Sequence, residues 1–473
     1  MKTNSSINNI NKNSAIVHSR FSAINLEKIA KATGFSERKA RKITPRDLLT
    51  GFFLMALSRG RNSFESWASK IGFLIGDTLS KQALWKRIQK TEEDEKPKGS
   101  KKNKAKEKGK DKKEDGKKVS LEFLGRVLDE VMKKSLLSGA AIPLKGFKKI
   151  FLHDSIHIKL DRMLSGDFPG SINQNKETES STLKLQVIYD LVTGSFRMID
   201  LSNYRQNDQK KAWDILDIAE KGDLILRDLG YFVLDLFNEM IEKGIYFISR
   251  LRYGLNIYDV KTNEKINLLK LLKQKGSLDM NVLLGSEARV PVRLVAVKVS
   301  NDEANERRRK ARLNHDKRNN HSKEYYELLG WDILITNCPK AMLSRKDVLY
   351  LYGLRFRIEV IFKSWKSYFK IKDALEYKTK LAVEIYIYCM LIFIILFQVS
   401  FLKYLEKTGH SEEEIISLLK YSKFIADNLI ILFIAEALGT DISRLFLKLL
   451  FYYTPYQKRH DRMNYHDKLA KLS

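Results

Sequence analysis

The chain of 473 residues contains only two cysteines, Cys338 and Cys389, and no closely spaced cysteine pair. This scarcity excludes a disulfide framework and a structural zinc site, and it fits a reducing cytoplasm. The N-terminus also lacks an apolar signal core. Residues 1–21 are therefore predicted to form a flexible polar leader, and export is not expected.

Negative charge is also scarce, since 57 acidic residues face 86 basic ones for a net charge of +29 and a pI near 9.7. Residues 95–119 have almost nothing to bury and are predicted to be a disordered, Lys-rich linker between domains. The run from Lys96 to Lys118 carries a net +8, which leaves +21 on the rest of the chain. The folded region is therefore basic itself, and this predicts a nucleic acid partner ahead of an anionic membrane surface.

One long apolar run, Ile385 to Leu402, has about the length that spans a bilayer. It contains Gln398 and follows directly after Glu384. A helix buried beneath a sheet produces the same pattern. The buried helix, with no membrane partner, is our prediction, and a membrane protein is the alternative.

Start signals for several short helices predict a helical DNA-binding domain over residues 22–94. Thr44 to Asp47 opens one helix, a second runs from Ser63 to Ile75, and Asp77 to Ser80 opens a third. The last two resemble a helix-turn-helix. A helical bundle with incidental basic residues is the alternative. The basic residues assigned to DNA binding on the third helix are Lys81, Lys86 and Arg87.

A helix is predicted from Leu121 to Leu137, and the pattern then changes to strands. Three strands are followed by a helix from Asp208 to Lys221, a strand, a helix that begins near Tyr231 and a further strand. This order predicts an α/β, RNase H-like core, in which helices flank a mixed sheet. A mainly β insertion interrupts the core and ends in a basic arm. A helical C-terminal region follows, opened by a predicted capping box at Ser411 to Glu414. The predicted boundaries are 120–252 for the first core segment, 253–330 for the insertion, 331–405 for the second core segment and 406–473 for the C-terminal region.

Four polar residues, Tyr352, Arg355, Glu359 and Lys366, are spaced 3, 4 and 7 apart. At about 100° per residue on a helix they fall within an arc of roughly 60°. The apolar residues of the segment occupy the opposite side and are predicted to pack on a core. One acid among cations suits a metal-assisted phosphodiester site. The alternative is a solvated basic helix whose glutamate forms i,i+4 pairs with Arg355 and Lys363.

Two aspartates are predicted to join Glu359. Asp154 lies on the first strand and Asp228 ends the fourth, and these two strands are neighbours in an RNase H-like sheet. A carboxylate on such a strand is costly to bury unpaired, and two divalent ions held by oxygen ligands would remove that cost. The alternatives are a pair with His153, His157 or Lys159 for Asp154, and a salt bridge to Arg227 or a helix cap for Asp228.

The spacing Tyr352-x2-Arg355-x3-Glu359-x6-Lys366, together with Asp154-Ser155 and Asp228-Leu-Gly-Tyr-Phe232, resembles the DDE transposases of bacterial insertion sequences, specifically the insertion sequence four family. The resemblance implies that Asp154, Asp228 and Glu359 are catalytic and bind two Mg2+ or Mn2+ ions. It also implies DNA contacts through Tyr352, Arg355 and Lys366. Trp331 is predicted to stack on a flipped base, with a core tryptophan as the alternative.

The same resemblance implies cut-and-paste transposition, with double-stranded DNA as partner at the terminal inverted repeats and at the target. It further implies a homodimer in the DNA complex and a bacterial cytoplasmic, nucleoid-associated protein. A non-catalytic DNA-binding regulator derived from a decayed element is the alternative function.

Overall fold

A single nine-stranded mixed sheet with helices packed on its two faces forms the centre of the protein, and this confirms the predicted α/β class. The predicted leader, most of the predicted linker and the predicted helix cap at Ser411 lie outside the described residues. The computed structural model describes residues 24–36, 43–58, 62–89, 118–136, 144–171, 180–313, 321–408, 416–437 and 440–455.

The strands lie in the order β3-β2-β1-β4-β5-β9-β8-β7-β6. β1, β2 and β3 form an antiparallel meander, whereas β4 and β5 run parallel to β1. The remaining neighbouring pairs, β5–β9, β9–β8, β8–β7 and β7–β6, are all antiparallel. The strands are β1 (Ile150–Leu160), β2 (Ser181–Asp190), β3 (Ser195–Asn203), β4 (Leu224–Arg227), β5 (Tyr246–Arg250), β6 (Ile257–Asp259), β7 (Ser277–Leu284), β8 (Val290–Lys298) and β9 (Trp331–Thr336).

The helices lie before, between and after these strands. Short 3-10 turns occur at Arg162–Leu164, Ala212–Asp217, Leu229–Tyr231 and Ile371–Glu376. The helices are α1 (Leu26–Ala32), α2 (Pro45–Leu57), α3 (Phe64–Ile75), α4 (Lys81–Ile88), α5 (Val119–Leu136), α6 (Asp208–Lys211), α7 (Leu234–Glu242), α8 (Leu268–Lys275), α9 (Asn301–Arg312), α10 (Lys323–Leu328), α11 (Arg345–Leu354), α12 (Phe356–Ser367), α13 (Lys380–Thr408), α14 (Leu418–Ala437) and α15 (Ser443–Tyr453).

Alternate residues of the central strands enter two separate hydrophobic cores, because successive side chains of a strand point to opposite faces. Leu152 of β1 and Leu226 of β4 pack in the larger core, which also holds α5, α11, α12 and α13. Phe151 and Ile225 pack in the second core with α7. Asp154 and Asp228 have the parity of Leu152 and Leu226, and they therefore face the side of the sheet on which α12 lies.

The prediction of one helix over residues 208–221 is wrong, because the observed α-helix is much shorter. Only α6 is α-helical, and a 3-10 turn follows from Ala212 to Asp217. The Ala212 carbonyl accepts a hydrogen bond from Arg227 at 2.7 Å, so a long-range contact competes with helical bonding at the point of change. The next helix was expected near Tyr231 but begins at Leu234, because the 3-10 turn at Leu229–Tyr231 comes first.

Strands from the predicted insertion continue the central sheet. β9 pairs with β5 on one side and with β8 on the other, so β8, β7 and β6 extend the same sheet. The helix of the predicted basic arm, α9, also carries acids that pair with its arginines. Arg307 pairs with Glu303, and Arg309 pairs with Glu306. The described region of the arm is therefore less positive than expected.

The long apolar segment lies in α13. Among the described residues it is one helix that is long and apolar enough to cross a membrane by length and composition, but 83% of its most apolar window is buried inside the protein. Its one polar residue at the centre, Gln398, donates a hydrogen bond to the Tyr189 hydroxyl of β2 at 3.3 Å. These contacts are those of the predicted core helix rather than of a membrane span.

The N-terminal helices begin where the sequence predicts. Thr44 and Asp47 form a reciprocal capping box at the start of α2, and Ser63 and Ser80 cap α3 and α4. Leu84 and Ile88 of α4 are buried, as expected from their i,i+4 spacing. Side-chain oxygen atoms thus satisfy the free N–H groups at these helix starts.

Candidate active site

The two aspartates stand side by side on neighbouring strands. β1 and β4 are parallel, with His153 opposite Arg227, so Asp154 and Asp228 follow at the same step of the two strands. The Asp154 side chain is 23% exposed and that of Asp228 is 43% exposed. The alternatives predicted for Asp228 are not observed, since Arg227 donates to backbone carbonyls and Asp228 makes no side-chain cap.

The Glu359 segment is a helix with a break at Arg355. Ser344 and Asp347 form a capping box that starts α11, and α12 follows directly after Arg355. Bonds of the i to i+3 type flank the break, from the Arg355 N–H to the Tyr352 carbonyl and from the Ile358 N–H to the Arg355 carbonyl. The backbone at Arg355 stays helical, so the predicted common face is largely kept.

Arg355 brings all three carboxylates to one point. Its Nη2 donates to Glu359 Oε1 at 2.9 Å and lies 3.8 Å from Asp228 Oδ1, while its Nη1 lies 3.9 Å from Asp154 Oδ2. The i,i+4 pair of the alternative interpretation therefore exists. The same guanidinium, however, also reaches the acids of β1 and of the β4 end, which only the tertiary fold brings there.

The charges of this cluster perturb one another. Burial raises the pKa of Asp154 to about 6, and the nearby carboxylates of Asp228 and Glu359 add to this against the opposing effect of Arg355. Burial acts to lower the pKa of Arg355, but the surrounding acids outweigh it and raise that pKa. The cluster is thus a concentration of negative charge that needs a cation.

Tyr352 lies beside the cluster but is buried. Its hydroxyl oxygen is inaccessible and has no hydrogen-bond partner among the described residues. The guanidinium groups of Arg250 and Arg355 each lie 5.9 Å from its ring centroid. The predicted contact of Tyr352 with the DNA backbone requires this hydroxyl to become accessible.

Lys366 and Trp331, two further residues predicted to contact DNA, lie in different surroundings. Lys366 is half-buried near the cluster, and burial together with Lys372 lowers its pKa while Asp154 raises it. Trp331 begins β9 and packs on the second core, with its indole N–H buried and unpaired within the described chain. Its packing matches the core interpretation, and the stacking role stays a prediction.

The three basic residues predicted on α4 divide into two kinds. Lys81 and Lys86 are exposed. Arg87 instead donates to the Ile43 carbonyl at 3.0 Å and lies 5.2 Å from the Phe35 ring, so it joins α4 to the rest of the helical region. Their roles in DNA binding stay predictions.

Sequence reasoning missed two residues at the site. Arg250 ends β5, beside the end of β4, and it contacts the Tyr352 ring and lies 3.9 Å from Asp332. The sequence signal that could have identified Arg250 is a cation at the carboxyl end of the strand next to the one that Asp228 follows. Phe356 follows Arg355 and is 58% exposed, with the Arg355 guanidinium 5.6 Å from its ring. No pattern in the sequence distinguished Phe356 as a residue of the site.

The sequence profile of the transposase DDE domain matches residues 145–396, more than half of the chain. The chain belongs to this family. This DDE transposase acts in DNA transposition. The spacing from Tyr352 to Lys366 and the two aspartates predicted this function, and the match confirms the predicted resemblance to insertion sequence transposases.

Transposases of other insertion sequences are similar to this one over most of its length. It is 27% identical over 448 residues to the transposase for insertion sequence element IS231D of Bacillus thuringiensis subsp. finitimus, across 90% of this chain and 87% of that one. It is 26% identical to the transposase for IS1151 of Clostridium perfringens, across 75% and 73%. A structure of piggyBac transposase in a synaptic complex with hairpin DNA aligns with 92% of this chain and 83% of that chain, at 11% identity and a TM-score of 0.43.

The family implies dependence on a divalent metal ion, and the donor chemistry of the site fits one. Three carboxylates from separate elements supply the hard oxygen ligands that Mg2+ and Mn2+ prefer. Within the described residues no group of three acidic, histidine or cysteine side chains is already arranged as a metal site. The carboxylates are oriented toward the Arg355 guanidinium, which supplies positive charge at the same place.

The predicted metal-binding role of Asp154 implies that binding of Mn2+ by this transposase weakens as the pH falls below about 6, because a metal ligand must be in the ionised form. One required ligand that becomes protonated costs about tenfold in apparent affinity per pH unit below its pKa. Electron paramagnetic resonance of free Mn2+ measures this affinity directly. Asp154→Asn is the control, with weak binding at every pH. Constant affinity of the unmodified protein down to about pH 5 would contradict the expectation.

Proposed function

We propose that this transposase cuts DNA at the terminal inverted repeats of its element and joins the freed 3′-hydroxyl to target DNA, with Asp154, Asp228 and Glu359 as ligands of two Mg2+ or Mn2+ ions. The observation that carries the proposal is the single guanidinium, that of Arg355, within 3.9 Å of all three carboxylates. Residues 74 and 131 positions apart along the chain thereby share one site.

We further infer that β1 to β5 form an RNase H-like core. Three antiparallel strands followed by two strands parallel to the first, in the order β3-β2-β1-β4-β5, support this inference. In this arrangement the middle of β1 and the end of β4 adjoin. A helix on the same side of the sheet then brings Glu359 to them.

The chemistry divides between the ions and the chain. When bound, two divalent ions would activate the attacking oxygen and stabilise the leaving one. Asp154, Asp228 and Glu359 would hold them. Arg355 balances the carboxylate charge before metal binding and is proposed to contact a DNA phosphate afterwards, together with Lys366.

An assay of strand cleavage on DNA that carries the element's inverted repeats tests the proposal. Cleavage should require Mg2+ or Mn2+ and should stop in a chelator. Specific end binding without cleavage under any metal condition would favour a non-catalytic regulator instead. The matched relatives are transposases and lend that alternative no support.

Lys366→Ala should weaken DNA binding and flatten its dependence on salt. Each lost phosphate contact reduces the slope of log affinity against log salt by about 0.9. Titrations of end DNA at several salt concentrations measure that slope. Lys243→Ala, which removes a lysine paired with Glu239 on α7, is the control and should leave the slope unchanged. An unchanged slope for Lys366→Ala would remove this lysine from the DNA interface.

The proposal also includes the partners and the setting. Two inverted repeats of one element call for two copies of the protein, so a homodimer is proposed in the DNA complex. Light scattering of the protein with and without end DNA would determine its mass. Action on chromosomal DNA places the protein in the bacterial cytoplasm, and association with the nucleoid follows from the proposal.

A further inference from the structure

A buried arginine lies directly behind the carboxylates. Arg227, the last residue of β4, is fully buried and points away from Asp228, into the face of the sheet that the second core covers. It forms no ion pair with an acidic side chain of the described chain. A buried guanidinium without an acid is costly, so the bonds that it makes must be good ones.

The two terminal nitrogens of Arg227 hold two backbone segments. Nη1 donates to the Tyr231 carbonyl at 3.1 Å, and Nη2 donates to the Ala212 carbonyl at 2.7 Å. Tyr231 closes the 3-10 turn that begins just after Asp228, and its N–H donates to the Asp228 carbonyl at 3.1 Å. The guanidinium therefore holds the turn that carries Asp228 against the sheet from the reverse face.

The contacts of Tyr231 extend this support to the other aspartate strand. Its ring lies 4.2 Å from the ring of His153, which precedes Asp154 and is opposite Arg227 in the strand register. The Tyr231 hydroxyl donates to Gln186 Oε1 at 2.5 Å. A buried polar layer thus crosses β2, β1 and β4 directly behind Asp154 and Asp228.

We propose that Arg227 is a positioning residue that fixes the Asp228 carboxylate relative to Asp154. The inference rests on the proposed function, in which both aspartates bind the metal. The planar fork of arginine bonds two carbonyls in a fixed geometry, whereas a lysine ammonium is a single point of charge on a flexible stem. Loss of a group that orients metal ligands typically weakens metal binding or activity about 10- to 100-fold.

The test uses the full chain with Arg227→Lys and Arg227→Met. Mn2+ affinity is measured by electron paramagnetic resonance, thermal unfolding is measured in chelator, and cleavage is measured on inverted-repeat DNA. Both variants should bind Mn2+ about 10- to 100-fold more weakly and cleave more slowly at saturating DNA. Arg227→Lys keeps the charge but loses the planar fork, so its unfolding midpoint should fall about as far as that of Arg293→Lys. This variant carries the test if Arg227→Met fails to fold.

Arg293 provides a matched control. It is also a buried arginine, it bonds the Leu343 carbonyl at 2.7 Å and pairs with Asp279, and it lies on β8, away from β1 and β4. Arg293→Lys should lower the unfolding midpoint and leave Mn2+ affinity within about twofold, since it supports no metal ligand. This pattern is the signature of a purely structural arginine.

Two results would overturn the positioning role. One is unchanged Mn2+ affinity in Arg227→Lys. The other is an equal loss of Mn2+ affinity in Arg227→Lys and Arg293→Lys when both lose similar stability. Asp228→Asn separates the two levels of the proposal. If it weakens Mn2+ binding while Arg227→Lys does not, the positioning role alone fails. If Asp228→Asn has no effect, the proposed metal site fails as well.

Discussion

Glu359→Gln is expected to reduce metal-dependent DNA cleavage by about 10³-fold or more, because the amide removes one of the three negative charges that are proposed to hold the ions. The substitution keeps the size of the side chain. Glu359 is 42% exposed and lies on the face of α12 opposite the buried Ile358, Ile361 and Trp365, so the packing of that helix should persist. Binding of end DNA should therefore remain while cleavage is lost.

Single-turnover cleavage and electrophoretic binding assays on the same DNA measure the two effects. Glu287→Gln, an exposed glutamate in the turn between β7 and β8, is the matched control and should cleave normally. Cleavage retained within tenfold in Glu359→Gln would contradict the assignment of the third carboxylate. Loss of DNA binding together with cleavage would point to a folding defect, which circular dichroism would detect.

Asp154→Asn should abolish cleavage and at the same time stabilise the metal-free protein. The folded-state pKa of Asp154, about 6, lies above the ordinary aspartate pKa of 3.8, so folding favours the protonated form. The stability linked to this group is greatest below the unfolded pKa and decreases as the pH rises toward 6. At neutral pH the ionised carboxylate then costs about 3 kcal/mol, an upper bound that Asn avoids.

Unfolding by denaturant in chelator, at neutral pH and at about pH 4, measures this second effect. The variant should be more stable than the unmodified protein at neutral pH, and the difference should shrink at the lower pH because Asp154 is then protonated in the folded protein. Divalent metal should stabilise the unmodified protein more than the variant. A metal-free variant that is less stable at neutral pH would contradict the electrostatic account.

Local signals in the sequence were sufficient for several elements. Side-chain caps at Thr44 and Ser80 placed two helix starts, and the apolar alternation of the first predicted strand placed β1. These signals act over a few residues, so no distant contact was needed to interpret them. The change to 3-10 structure at Ala212 was not predictable in this way, because it depends on a bond from Arg227.

The sequence predicted which residues lie together at the site, but it predicted their contacts less well. The order of strands brings Asp154 and Asp228 together, and helical spacing adds Glu359 to the face that carries Arg355. The sequence suggested that Arg355 would point to DNA and Tyr352 would be accessible. In the structure Arg355 lies against the acids, since attraction to three carboxylates exceeds the cost of its burial, and its contact with DNA stays a prediction.

The sequence by itself determined the family, the α/β class and which three acids lie together, because the spacing of residues along strands and helices encodes these features. Only the tertiary structure decided three further points. β9 joins the strands of the predicted insertion to the central sheet, the Arg355 guanidinium lies near all three carboxylates, and Arg227 bonds the turn that follows Asp228. Each of these depends on contacts between residues far apart in the chain, whose geometry exists only after the sheet has formed.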